Sequence, residues 1–178
     1  MSRLVVDIET NGLLLDGTRC HCAVTYNLDT RKYILYRPHQ IKQLVEDLEK
    51  ATVIIGHNWL GFDEPFLIKN YRYVPTARVV DTLLWAKLIY YDKDKSWSHS
   101  LDAYGERLGE KKGSYHEWET FTEKMLDYNK QDVVVTTKLY SHLKRKGTWL
   151  SEESEALRLE QDVQKVVTKQ YLSGWKFN

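Results

Sequence analysis

The order of the apolar runs is what most restricts this chain. Three of them, "RLVVDIE", "CHCAVTYN" and "KYILYRP", have the length and residue types of strands, and the polar "NLDTR" joins the last two as a hairpin turn. Short connections predict antiparallel pairing. Strands and helices then alternate. "QIKQLVEDLEKA" sets Ile41, Leu44, Val45 and Leu48 at helical spacing, "TVIIG" is a short buried strand, "DEPFLIKNY" a helix with Pro65 in its first turn, "ARVVD" a strand and "TLLWAKLIYY" a helix. That alternation implies parallel pairing in part, so the expectation is an α/β fold with a mixed five-stranded sheet flanked by helices.

Beyond residue 92 the strand signal fades. "YDKDKSWSHS" is a polar loop, "SLDAYGERLG" a helix, and Gly109 and Gly113 mark an irregular stretch. One long helix is predicted from about Glu119 to Lys144, with Met125, Leu139 and Leu143 facing inward and Gly147 at its end. The last segment reads as a serine-capped amphipathic helix running to Gly174.

The 178 residues, 42% of them hydrophobic, suffice for one sizeable core. With 26 Lys+Arg against 25 Asp+Glu the chain has no strongly basic coat, although a carboxylate-lined site can cancel a basic groove in the sum. Cys20 and Cys22 have no second pair elsewhere, which excludes a disulfide framework and a disulfide-linked partner and leaves a zinc site incomplete. No apolar run approaches the ~18 residues of a membrane span and no signal peptide opens the chain, so a reducing cytoplasm is expected.

Chemistry begins at "RLVVDIETNG". On a strand, positions i and i+2 share a face, so Asp7 and Glu9 project together from the strand's C-terminal end, where open α/β sheets bind ligands. By themselves they fit a strand leaving for a Thr-Asn-Gly turn as well as a site. Asp132 weighs toward a site, because it lies on the inward stripe of Met125, Tyr128, Val135 and Leu139, where a carboxylate costs several kcal/mol unless it is met by a cation or by donors. No Lys or Arg shares that stripe. Asp63 opens a helix and fits either an N-cap or a ligand, whereas Asp81, in the same context, is read as a cap only. Four converging carboxylates would repel one another, and two divalent cations of oxygen preference, Mg²⁺ or Mn²⁺, would remove that repulsion and suit phosphodiester hydrolysis.

"DIET", "HNWLGFD" and "YNKQD" resemble the three motifs of the DEDD 3′→5′ exonucleases, which share a ribonuclease-H-like fold. Tyr-x-x-x-Asp places the resemblance in the tyrosine branch, since Asp127 stands where the histidine branch has His. More narrowly, "HSLDAYGERLGEKKG", "MLDYNKQDVVVT" and "QYLSGWKFN" resemble the proofreading domain of family-A DNA polymerases of podophage type, with the start of the helix leading into their polymerase domain. The resemblance spans nearly the whole chain. It implies a domain over residues 1–147, a linker helix over 148–178, and a phage-encoded enzyme of the host cytoplasm that removes mismatched 3′-terminal nucleotides from DNA as nucleoside 5′-monophosphates.

Carried over by position, the resemblance makes Asp7, Glu9 and Asp132 ligands of the catalytic metal and Asp63 mainly of the second. Tyr128 would orient the attacking water, its phenol being too weak an acid to serve readily as a base near neutral pH. Leu13 would wedge against the terminal base, Thr10 and Asn58 would contact the terminal nucleotide, and Phe62 joins the substrate-binding set. For the DNA strand, Lys93, Lys95, Lys111 and Lys112 interleave with Trp97, Tyr115 and Trp118, a mix that suits single strands and equally an exposed lysine loop with inward aromatics. His57 and His99 read as ordinary hydrogen-bonded histidines. The expected partners are single-stranded DNA 3′ ends and a polymerase domain or subunit, with no membrane. Two rivals stand: an RNA-trimming exonuclease of the same branch, and a catalytically silent nucleic-acid-binding or polymerase-docking module.

Overall fold

The computed structural model describes residues 2–94, 96–110, 113 and 115–174. Strands β1 (Arg3–Thr10), β2 (Cys20–Asn27) and β3 (Lys32–Tyr36) form an antiparallel meander, and β4 (Val53–Gly56) and β5 (Arg78–Asp81) add to the other side of β1 in parallel, giving the order β3-β2-β1-β4-β5. This is the mixed five-stranded sheet expected. β1 is central, and Leu4, Val5, Val6 and Ile8 are buried from both faces, which is why its sequence is a continuous apolar run.

Six α-helices accompany the sheet among the described residues, α1 (Ile41–Glu49), α2 (Asp63–Tyr71), α3 (Thr82–Ile89), α4 (Leu101–Arg107), α5 (Glu123–Lys146) and α6 (Glu155–Ser173), with a 3₁₀ turn at Pro38–Gln40 leading into α1. α5 lies against β1 and β2, and α3 packs between α5 and α6. Its start falls four residues after the predicted Glu119, because the Thr122 side chain accepts from Met125 N and caps the helix there. Gly147 is its C-cap as predicted, and Ser154 caps α6 by accepting from Leu157 N. α6 ends at Gly174, where φ is 67°.

The pairing register carries the feature that matters for the site. Glu9 pairs with Cys22 but Thr10 with Cys20, so His21 is an extra residue on β2 and β1 bends just past its paired carboxylates. His21 is buried, and its Nε2 lies 3.1 Å from the Trp118 carbonyl, which ties the 115–122 segment to the end of the sheet. Both cysteines are free and buried.

Candidate active site

Asp7 and Glu9 point to the side of β1 on which α5 runs, and α5 meets them with Asp132. Oxygen atoms of these three carboxylates all lie within 4.8 Å of one another. Asp132 is buried, as its place on the inward stripe requires. A set of three carboxylates at this separation, with oxygen donors only, fits a hard divalent cation, so these residues could hold a metal.

Asp63 lines the same cleft but stands apart from the three. It is the first residue of α2 rather than its cap, which is Phe62, and its Oδ1 accepts from Ile8 N at 3.3 Å. Burial pushes its carboxyl well above the ordinary range; donation from the Ile8 and Asp63 N–H groups works the other way, and the charges of Asp81 and Glu9 add to the rise. Asp81 caps α3 through Leu83 N, as the sequence predicts.

Tyr128 lies one turn before Asp132 and lines the cleft, half-buried. Its ring is held between Tyr115 at 5.9 Å and Trp118 at 5.7 Å, and Tyr115 in turn bonds Thr122 Oγ1 through its hydroxyl at 2.8 Å. The central hollow, about 270 Å³, opens on one side into a second under Leu13, Phe62 and Trp118 and on the other into a third along His57, His99 and Ser100. Each outer hollow shares residues with the central one, so that the three run as one groove past the carboxylates.

The remaining substrate candidates fall along this groove. Leu13 is 72% exposed in the β1–β2 loop, whose middle is fastened by Lys69 Nζ on the Leu14 and Leu15 carbonyls at 3.0 and 2.7 Å. Thr10 turns its hydroxyl to Gly12 O, Phe62 stacks on Phe66 at 5.9 Å, and Asn58 is exposed on the groove wall with φ 62°. His57 bonds Thr82 and the His99 carbonyl, and His99 bonds Tyr104, both as expected for hydrogen-bonded histidines.

The strand-contact candidates divide. Lys95, Lys111 and Lys112 lie outside the described residues. Trp97 packs inward, with the Arg107 guanidinium 3.9 Å from its ring centroid, Tyr90 at 5.6 Å and Lys93 Nζ at 5.8 Å, while Trp118 faces the groove. Asn129 was not foreseen. It is fully buried and donates from Nδ2 to Asp7 Oδ2 at 2.6 Å. The signal lay three residues before Asp132, where a carboxamide sits on the same inward stripe.

The RNase H superfamily model matches residues 4–144. The chain is 31% identical to the DNA-directed DNA polymerases of Escherichia phage T7 and Enterobacteria phage T3, over 98% of its own length and 33% of theirs, so it spans about a third of these curated relatives. The resemblance to phage DNA polymerases read from the motifs is borne out. Among solved structures, Brucella melitensis NrnC with bound Mg²⁺ superposes with a TM-score of 0.72 at 20% identity, covering 97% of this chain and 86% of that one. Escherichia coli RNase D, an exoribonuclease involved in structured RNA processing, gives 0.67 at 15%, covering 92% and 45%. This chain shares its fold, ribonuclease-H-like by the family model, with the two superposed structures. With its family model matched over residues 4–144, this chain belongs to the RNase H superfamily.

Proposed function

We propose that the chain is a metal-dependent 3′→5′ DNA exonuclease that proofreads for a phage replicative DNA polymerase in the host cytoplasm. The observation that carries this reading is the meeting of Asp7, Glu9 and Asp132 within 4.8 Å at the floor of a groove, beside Tyr128. Asp7, Glu9 and Asp132 would hold one divalent ion, and Asp63 mainly a second. Such ions, Mg²⁺ or Mn²⁺, supply charge that stabilises the attacking and leaving oxygens of phosphodiester hydrolysis. The protein's own work is positioning. Tyr128, its ring fixed by Tyr115 and Trp118, presents its hydroxyl to the attacking water, and its weak acidity suits orientation better than proton abstraction. Leu13, Phe62 and Trp118 flank the terminal base, while Thr10 and Asn58 hold the terminal nucleotide. We assign residues 1–147 to the nuclease domain and 148–178, which include α6, to a linker that leads into, or docks on, a polymerase domain.

The test is hydrolysis of a 3′-labelled single-stranded DNA oligonucleotide with Mg²⁺, with chelator, and by Asp7→Ala. Stepwise shortening from the 3′ end that vanishes in the last two conditions is expected, and robust digestion by Asp7→Ala refutes the mechanism. The likeness to RNase D favours a second reading, RNA trimming. A matched RNA strand in the same assay decides it, a marked RNA preference displacing the DNA assignment. No digestion at all by the intact chain leaves the silent binding module.

A further inference from the structure

α6 lies away from the carboxylates, yet its buried polar side chains are bonded to the segment that forms the groove wall. Its inward face carries Leu157, Gln161 and Thr168. Gln161 Oε1 accepts from Asp81 N at 2.8 Å, and Thr168 Oγ1 donates to the Leu60 carbonyl at 3.0 Å. Both bonds are buried. Between them stands the Asp81 carboxylate, 1% exposed, which accepts from Asn58 N and Leu83 N on Oδ1 and from Leu60 N on Oδ2. The next residue, Thr82, donates to Gly56 O and meets His57 Nδ1 at 3.0 Å. The stretch from Gly56 to Leu60 is therefore held at its backbone by β5 and α3 from one side and by α6 from the other.

What this scaffold holds includes a residue with left-handed backbone. Asn58 sits at φ 62°, in the left-handed region that Asn among non-glycine residues tolerates best. Its side chain lies over Gly61, where an added Cβ would come within 2.3 Å of Asn58 Oδ1. Besides capping α3 through Leu83 N, the buried Asp81 carboxylate accepts two main-chain N–H groups of this stretch, Asn58 and Leu60, which favours one loop shape because losing either bond leaves a buried polar group unsatisfied.

We propose that Gln161 and Thr168 are positioning residues for the groove. Acting through Asp81 and Leu60, they fix Asn58 and the approach to α2, so that α6 sets how tightly a strand's terminal nucleotide is held. The consequence for catalysis rests on the nuclease reading above; the linkage from α6 to Asn58 does not.

Thr168→Val removes the hydroxyl at nearly constant volume, and Thr168→Ser keeps it. Both are made in the full chain, with backbone hydrogen exchange and oligonucleotide kinetics in Mg²⁺ as readouts. For Thr168→Val, exchange at Asn58 and Leu60 quickens by about tenfold with β1 and β2 unchanged, as local opening requires. KM for the oligonucleotide rises about 3–10-fold with kcat within about twofold, the signature of lost ground-state binding. Thr168→Ser restores both. Unchanged exchange at residues 56–62, a uniform rise across the sheet, or failure of Ser to restore it overturns the proposal. The expected exchange pattern in a chain that digests no strand supports the linkage and overturns the nuclease reading alone.

Discussion

Asn129 Nδ2 donates to Asp7 Oδ2 at 2.6 Å, joining α5 to β1 beside the acidic cluster that the two elements share. The bond orients the carboxylate without neutralising it, the part that a partner behind a metal ligand would play in the proposed site. Asn129→Asp would replace a donor with a like charge at this distance. The expected outcome is a Mg²⁺ requirement for oligonucleotide hydrolysis shifted upward by about 10–100-fold, the usual range for such partners. A Mg²⁺ titration checks it. An unshifted requirement removes Asn129 from any part in holding Asp7.

The cluster itself predicts opposite effects on stability with and without metal. In chelator, Asp7, Glu9 and Asp132 repel, so Asp132→Asn should raise the melting temperature by about 2–4 °C, or about 1 kcal/mol for a chain of this size. Divalent ion at about 100 times its dissociation constant should stabilise the unsubstituted protein by about 2.7 kcal/mol and the variant far less. Thermal unfolding in EDTA and in Mg²⁺ or Mn²⁺ measures both. Equal metal stabilisation of the two proteins would place the ion elsewhere.

Which parts of this site can be read from sequence follows from the reach of the periodicities. Asp7 and Glu9 are legible because a strand repeats every two residues, and Asp132 because a helix puts it on a stripe whose other members are apolar. Asn129 lies on that same stripe, but a buried carboxamide is ordinary and its spacing does not name Asp7, 122 residues earlier, as its partner. Asp81 reads correctly as a cap from its neighbours in sequence. Its larger role, accepting from Asn58 and Leu60, depends on β4 and β5 lying side by side, which a local pattern does not report. Trp118 sits on an irregular segment placed by the His21 bulge, and neither has a period.

Tyr128 and Trp118 touch, at 5.7 Å between ring centroids, but should fail differently. Tyr128→Phe keeps the ring between Tyr115 and Trp118 and removes only the hydroxyl. A fall in kcat of about 100-fold at nearly constant KM is expected, the low end for a group that handles a positioned proton or water. Trp118→Ala removes a stacking face at the groove and should raise KM about tenfold, within the ~1–3 kcal/mol of a base–aromatic contact. Steady-state kinetics on a short single-stranded DNA separates the two. A KM effect from Tyr128→Phe would make the hydroxyl a binding group instead.

Glu152 gives a pH dependence whose sign can be worked out. It lies between α5 and β5, with Tyr140 donating to it at 2.5 Å, Arg78 Nη2 at 3.2 Å and Lys144 Nζ at 3.6 Å. Burial pushes its carboxyl upward, but the Tyr140 hydrogen bond and the Lys144 and Arg78 charges outweigh it and hold it below the ordinary glutamate value. Because the folded value is the lower one, the folded state holds its proton less readily than the unfolded chain. The stabilisation is present in full above the unfolded pKa of about 4.3 and is lost as pH falls through the folded value. Glu152→Gln should therefore be less stable than the unsubstituted protein by about 1–2 kcal/mol at neutral pH, with the difference closing as pH falls through the folded value, below the ordinary glutamate range. Urea midpoints across that range test this, and parallel curves for the two proteins would mean that Glu152 is not ionised against Arg78 and Lys144 in the native state.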